Sequence, residues 1–210
     1  MKKIMFNDRY GLTQAVLEGK KTMTRRIIKG IYVAVIHLKY EGSFIGKTAD
    51  GKSVILPQPT YKIGEEIAIA QPYKNDDVLS YNAIKEDGTA REDGFHRHKE
   101  MLGSNGYRNK MFVKAEYMPH RIRITGIKVE RLQDISEEDC LREGIQEYFP
   151  YIDRNPNDRV RTFQYFRDGK IRHRRWPASE CFSLLIDDIC GHGTWNRNPW
   201  VYAYTFELLK

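Results

Sequence analysis

The chain has 210 residues, 40% of them hydrophobic and 30% charged, with a formal net charge of +7. That length and apolar content suit one folded domain with a real core and argue against a disordered chain. No apolar run is long enough for a bilayer-spanning helix, and the start, Met1 to Asp8, lacks the apolar core of a secretory signal.

The charge balance favours a polyanionic partner, nucleic acid (RNA or DNA) before all others, and no membrane role is expected. Three widely spaced cysteines, Cys140, Cys181 and Cys190, do not form a disulfide framework. They are read as core thiols in a reducing cytoplasm. Cys181, Cys190 and His192 lack a fourth ligand at a usual spacing, so no metal site is expected. Nothing in the sequence points to an organic cofactor.

In chain order, residues 4 to 6 make a short apolar strand. Leu12, Ala15 and Val16 then recur at helical spacing, with Asp8 as the expected N-cap and Gly19 as the left-handed residue that ends the helix. The helix exit is the basic stretch Gly19 to Arg26, which puts Lys20, Lys21, Arg25 and Arg26 within seven residues together with Thr22 and Thr24. These side chains offer charge-assisted donors for anionic oxygens and a hydroxyl able to act as nucleophile. An extended backbone would put Lys21 and Arg25 on one face and Thr24 and Arg26 on the other, whereas a helical turn would put Lys21 beside Thr24. An isolated stretch of this kind is most simply a solvated turn.

Residues 31 to 40 are rich in β-branched and aromatic side chains and predict a strand. The Asp50-Gly51 turn leads to a returning strand over residues 53 to 56, closed by Pro57 and Pro59. Residues 61 to 70 feed another strand, with Ile67 and Ile69 on one face and Ala68 and Ala70 on the other. Residues 74 to 110 are polar and show no long period, so they read as an insertion on the rim. The stretch from Arg121 to Arg131 has the clearest alternation, with Gly126 at an expected bulge. Ser136 caps a short acidic helix closed by Gly144, which puts Glu143 in the last turn, where the helix dipole disfavours an anion.

Residues 146 to 178 interleave aromatics with arginines, a pattern that suits base stacking and backbone contact as well as a subsidiary core. A helix over residues 179 to 189 carries the stripe Phe182, Leu185, Ile186 and Ile189, and residues 199 to 206 make a closing strand. The sum is an α+β domain on a small, strongly bent sheet or barrel with three short helices.

The stretch Leu17 to Arg26 resembles the Gly-x-Lys-x-x-Thr-x-Arg signature of ASCH domains, with Lys21 two residues after Gly19. Two further blocks agree. Residues 129 to 145 resemble the family's strand-to-helix segment. Gly191-x-Gly193-Thr194-Trp195-x-x-Asn198-Pro199-Trp200-Val201 resembles the closing motif of phage and prophage members, and it brings Trp195 among the binding candidates.

The resemblance implies a PUA-like small β-barrel of about five to six strands, a single domain over residues 1–210 with the rim insertion 74–110 and the elaboration 146–178. It also implies a cleft that binds RNA or a modified nucleotide through Lys20, Arg25 and Arg26. One bacterial branch of the family removes the acetyl group from N-acetylcytidine. Its lysine, threonine and glutamate fall on Lys21, Thr24 and Glu143, which makes an amidohydrolase the alternative function. A phage-derived protein-interaction module is the second alternative. The chain departs from the family where a Trp-Val-Arg-Glu run is usual and Ala68-Ile69-Ala70-Gln71 stands instead. There the polar contacts pass to Gln71 and Arg121.

Overall fold

The computed structural model describes residues 1–30, 32–37, 44–148, 162–175 and 177–209. The described strands are β1 (Lys2–Ile4), β2 (Met23–Ile27), β3 (Ala34–His37), β4 (Phe44–Lys47), β5 (Ser53–Ile55), β6 (Glu66–Ile69), β7 (Arg121–Arg131), β8 (Gln146–Tyr148), β9 (Thr162–Arg167), β10 (Lys170–Arg175) and β11 (Trp200–Leu209). The described helices are α1 (Leu12–Leu17), α2 (Asp76–Ala83), α3 (Gly94–Gly103), α4 (Glu137–Arg142), α5 (Ala178–Cys190) and α6 (Thr194–Arg197). The class is mixed α+β, with more strands and helices than the sequence leads one to expect.

A five-stranded sheet in the order β1-β6-β7-β11-β2 holds the centre. Only β1 and β6 run parallel; the other neighbours are antiparallel. The long partners β7 and β11 pair from Trp200–Arg131 to Leu209–Arg121, with a register shift where Thr205 faces Gly126 and Phe206 faces Ile124. Thr125 is the extra residue, so the bulge falls beside Gly126, as the interrupted alternation implies.

Among the described residues this sheet is open, with β1 and β2 at its edges, and no closed barrel forms. Its curvature nevertheless brings the two edges together. Arg26 on β2 donates to the Met5 carbonyl just past β1 at 3.0 Å, and the rings of Phe6 and Phe206 lie 5.7 Å apart.

The main core lies on the concave side, where Ile4, Ile67, Ile69, Ile122 and Phe206 are buried. Strand β6 serves two cores because its side chains alternate. Ile67 and Ile69 face the first, and Ala68 and Ala70 face a second made with Tyr73, Val78, Met101, Val113, Tyr117 and Met118. Residues 74 to 110, expected as a polar insertion without a long period, contribute to this second core. The segment folds into α2, α3 and single 3-10 turns at Asn105–Tyr107 and Lys110–Phe112. Each helix buries few apolar side chains, Val78 and Met101 foremost, so no helical stripe marks it in sequence.

The Asp50-Gly51 turn joins β4 to β5, and β3 pairs with β4, so a three-stranded meander replaces the expected single hairpin. At the first helix, Asn7 and not Asp8 caps the opening 3-10 turn, because Asp8 accepts from Thr13 and Lys110. The third sheet, in the order β10-β9-β8, carries the described part of the aromatic-basic region. Phe163 and Tyr165 there are buried in the main core. Phe149, Tyr151, Arg154, Arg159, Arg161 and Trp176 lie outside the described residues, as do the side chains of Arg174 and Arg175.

Candidate functional site

A cavity of about 480 Å3 opens where the two sheet edges approach. Its walls come from Met5 and Phe6 after β1, from Lys21 and Thr24 to Arg26 at β2, from Glu143 after α4, from Ile186, Ile189 and Cys190 at the end of α5, and from Lys110 and Met111 of the insertion.

The basic stretch enters this cavity because the helix exit reverses the chain. Gly19 takes a left-handed φ of 71°, and the backbone N–H groups of Lys20 and Lys21 both donate to the Ala15 carbonyl at 2.9 Å. The Thr22 N–H then donates to the Arg142 carbonyl at 2.9 Å, and the Thr22 carbonyl accepts from Phe206 at 3.0 Å. Lys21 is pinned inside as a result, 2% exposed.

On the opposite wall Ser136 caps α4, accepting from the Asp139 N–H at 3.1 Å. The helix stops at Glu143, and Gly144 turns the chain away with φ 105°. Glu143 is therefore fixed, buried and close to Lys21. The Lys21 Nζ donates to Glu143 Oε2 at 2.6 Å and to the Glu143 carbonyl at 2.7 Å. An anion at a helix C-terminus is disfavoured by the dipole, and here the cations beside it offset that cost.

Arg25 is the second cation on Glu143, donating from Nη1 to Oε1 at 3.1 Å. It also reaches Glu130 at 2.7 Å and Asp139 at 2.9 Å, with its side chain 1% exposed. Sheet register explains the reach. Arg25, Ala203 and Lys128 form one row across β2, β11 and β7, and the small Ala203 leaves the guanidinium room to cross. Lys128 closes the cluster with contacts of 2.9 Å to both Glu130 and Asp139. Three carboxylates thus face Lys21, Arg25 and Lys128, with Arg142 at 3.4 Å from Asp139.

Burial lowers the Lys21 pKa below its ordinary value; the charge and hydrogen bond of Glu143 work against that shift, while Arg26 and Arg25 add to it. Burial opposes ionisation of Asp139, but the hydrogen bond and charge of Lys128, with those of Arg25, outweigh it and hold its carboxyl below the ordinary value. Burial pushes the Cys140 thiol up to about 12, an inert core group. Cys181 is buried as well, whereas Cys190 is exposed on the cavity wall. Among the described residues no group of three or more His, Cys, Asp or Glu side chains is placed to hold a metal ion.

Thr24 stands apart in this charged setting. It is 6% exposed and lines the cavity. Its hydroxyl makes no hydrogen bond to any described residue.

The cavity therefore gathers Lys21, Thr24, Arg25, Arg26 and Glu143, while the other four sequence candidates lie elsewhere. Lys20 is exposed, pairs with Glu18 and borders a separate hollow along α1, because the reversal at Gly19 leaves it outside. Gln71 is buried against Asp77, to which it donates at 2.9 Å, and lines a groove beside α2. Arg121 begins β7 far along the ladder and borders a groove with Glu66 and Arg123. Trp195 packs edge-on against Phe182 at 6.2 Å, as part of the α5–α6 corner.

Glu130, Asp139 and Lys128 are the site residues that sequence reasoning missed. Each looks like an ordinary surface charge on its own element, and only the row through Ala203 joins them. The insertion's Lys110 was equally hidden; its Nζ donates to Asp8 Oδ1 at 2.6 Å and to the Phe6 carbonyl, which anchors the wall. No family model, curated protein or solved structure matches the chain.

Proposed function

We propose that the protein is an amidohydrolase of the ASCH type, on a PUA-like curled sheet, that removes an acyl group from the amino group of a cytidine-like base. One observation carries this reading. The cavity lining holds a threonine hydroxyl that no described residue hydrogen-bonds, together with a buried lysine–glutamate pair. A volume of about 480 Å3 suits a nucleoside-sized ligand.

In this reaction Thr24 Oγ1 attacks the acyl carbonyl carbon. A proton crossing the 2.6 Å Lys21–Glu143 bond leaves Lys21 as a neutral amine, which takes the threonine proton. Depression of the lysine pKa by burial favours that neutral form. The C–N bond then breaks, the leaving amine takes a proton from the pair, and the acyl group stays on Thr24 as an ester. Water attacks the ester, releases the acid and restores the hydroxyl.

The test is turnover of N-acetylcytidine to cytidine by the wild type and by Thr24→Ala. Release by the wild type and its loss in a folded Thr24→Ala protein are expected. Equal turnover in both would remove Thr24 as the nucleophile.

A second reading, a cavity that binds RNA or a modified nucleotide without turning it over, rests on Arg26. Its exposed guanidinium contacts the Met5 carbonyl and makes no ion pair among the described residues, so it is free to meet a phosphate. Arg25, engaged with three carboxylates, is not. Binding of cytidine 5′-monophosphate, lost in Arg26→Ala and weakened by salt, is the expected result under this reading.

A further inference from the structure

We infer that Arg25 is a positioning residue: through Glu130 and Asp139 it is locked in place, and through Glu143 Oε1 it fixes the carboxylate that holds Lys21. This inference rests on the hydrolase reading for its kinetic consequence, whereas its geometric content concerns the Lys21–Glu143 pair alone.

The arrangement is a chain of contacts in two layers. In the inner layer the two oxygens of Glu143 are divided between two cations, Oε2 to Lys21 at 2.6 Å and Oε1 to Arg25 at 3.1 Å. A carboxylate held at both oxygens cannot rotate, so the Lys21 Nζ has one site to occupy. In the outer layer Arg25 Nε and Nη2 both donate to Glu130 Oε1, at 2.9 and 2.7 Å, and Nη2 also donates to Asp139 Oδ2 at 2.9 Å. Lys128 binds both outer carboxylates from the solvent side and keeps their charge balanced.

A planar guanidinium is suited to this work because its donors point in fixed directions toward three acceptors at once; a lysine ammonium in the same place would keep the charge and lose the geometry. Arg25 borders the cavity, but its side chain is 1% exposed and its donors are engaged with three carboxylates. Arg25 therefore acts on the reaction by way of its neighbours.

Arg25 also bears on the charge state of Lys21. The groups facing Lys21 are Glu143 from the end of α4, Arg25 and Arg26 from β2, and the Phe6 ring at 5.9 Å. Around the same cavity stand Asp8 and Arg9 before α1, Lys110 of the insertion and Cys190 of α5. Arg25 and Arg26 are like charges that disfavour the ammonium form of Lys21. Removing the Arg25 charge strips one of these and frees Glu143 to serve Lys21 alone. Both effects stabilise the ammonium.

The test uses the full chain with lysine labelled at Cε with 13C and at Nζ with 15N, Lys21 being assigned by its loss in Lys21→Met. In Arg25→Gln the Lys21 titration midpoint is expected to move upward. In Arg25→Lys, which keeps the charge, the buried Nζ protons of Lys21 are expected to exchange with solvent at least tenfold faster than in the wild type. If N-acetylcytidine is a substrate, Arg25→Lys is expected to lower kcat by about 10- to 100-fold with KM within about twofold, and kcat falls most at low pH in Arg25→Gln. An unmoved Lys21 midpoint in folded Arg25→Gln overturns the inference. Should that variant fail to fold, unchanged Nζ exchange in Arg25→Lys overturns it in its place. Absent turnover with a shifted midpoint or faster exchange removes the hydrolase reading and leaves the positioning role standing.

Discussion

Burial separates the four cations of the Gly19–Arg26 stretch into different tasks. Lys20 stays in solvent, Lys21 and Arg25 enter an ion cluster, and Arg26 remains at the cavity mouth. Removing one member of a buried cluster leaves its partners charged and dry. Lys21→Met is accordingly expected to cost about 3–5 kcal/mol in urea unfolding, even though methionine fits the volume. Thr24→Val is the contrasting case. Its hydroxyl has no partner to lose, so stability should stay within about 0.5 kcal/mol of the wild type while turnover falls about a thousandfold or more.

Both shifted groups make stability rise with pH, but in different windows. Because the Lys21 pKa is lowered in the fold, the unfolded chain binds more protons between that value and the unfolded value of 10.5. Its contribution to stability therefore rises with pH through this window and is complete above it. The Asp139 pKa is also lowered, from 3.8, so its contribution is complete above 3.8 and is lost as pH falls through the folded value. Unfolding curves between pH 2 and 5 should show a shallower acid limb in Asp139→Asn than in the wild type; an unchanged limb would assign the acid sensitivity to other carboxylates.

At the scale of elements, the six-residue helix α4 carries more of the site than its length suggests. It supplies Asp139 and the Arg142 carbonyl that ties down Thr22, and Glu143 is its C-cap. Such a short helix is not stable by itself, and its ends decide whether it forms. Gly144 adopts φ 105°, and a Cβ there would stand 3.0 Å from Leu12 Cδ2. Gly144→Ala is expected to destabilise the protein by about 1–3 kcal/mol, read as a lowered Tm, and to loosen Glu143 with it. A Tm equal to wild type would show that α1 gives way at Leu12 without cost.

At the scale of the molecule, two cores share β6. The central one is crossed by the ten-pair ladder of β7 and β11, whereas the insertion's core rests on short helices around Met101 and Tyr73. Local opening follows the number of long-range contacts an element must break. Backbone amides of α3 are expected to exchange at a lower opening free energy than those of β7 and β11. Met101→Ala, which empties a fully buried site, should cost about 2–5 kcal/mol and widen the gap. Equal protection of α3 and β11 would make the two cores one cooperative unit. The insertion's Lys110 and Met111 line the cavity, so its opening would also open the site wall.

The sequence alone determined the elements whose signal is local. Alternation along residues 121 to 131 located β7 and its bulge, the stripe Phe182, Leu185, Ile186 and Ile189 located α5, and Gly19, Ser136 and Gly144 marked the ends of α1 and α4. Lys21, Thr24 and Glu143 were expected as one set only through the resemblance of their segments to ASCH domains. Tertiary structure alone decided what each charge meets. The curl of the open sheet joins β1 to β2, the row through Ala203 delivers Arg25 to Glu130 and Asp139, and the reversal at Gly19 takes Lys21 inside while leaving Lys20 out. Helices α2 and α3 escaped notice for the same reason: one or two anchors each carry no period. Local pattern fixes where the chain turns and which face is apolar. The partner of a buried charge depends on strands far apart in sequence, and that information exists only once they pair.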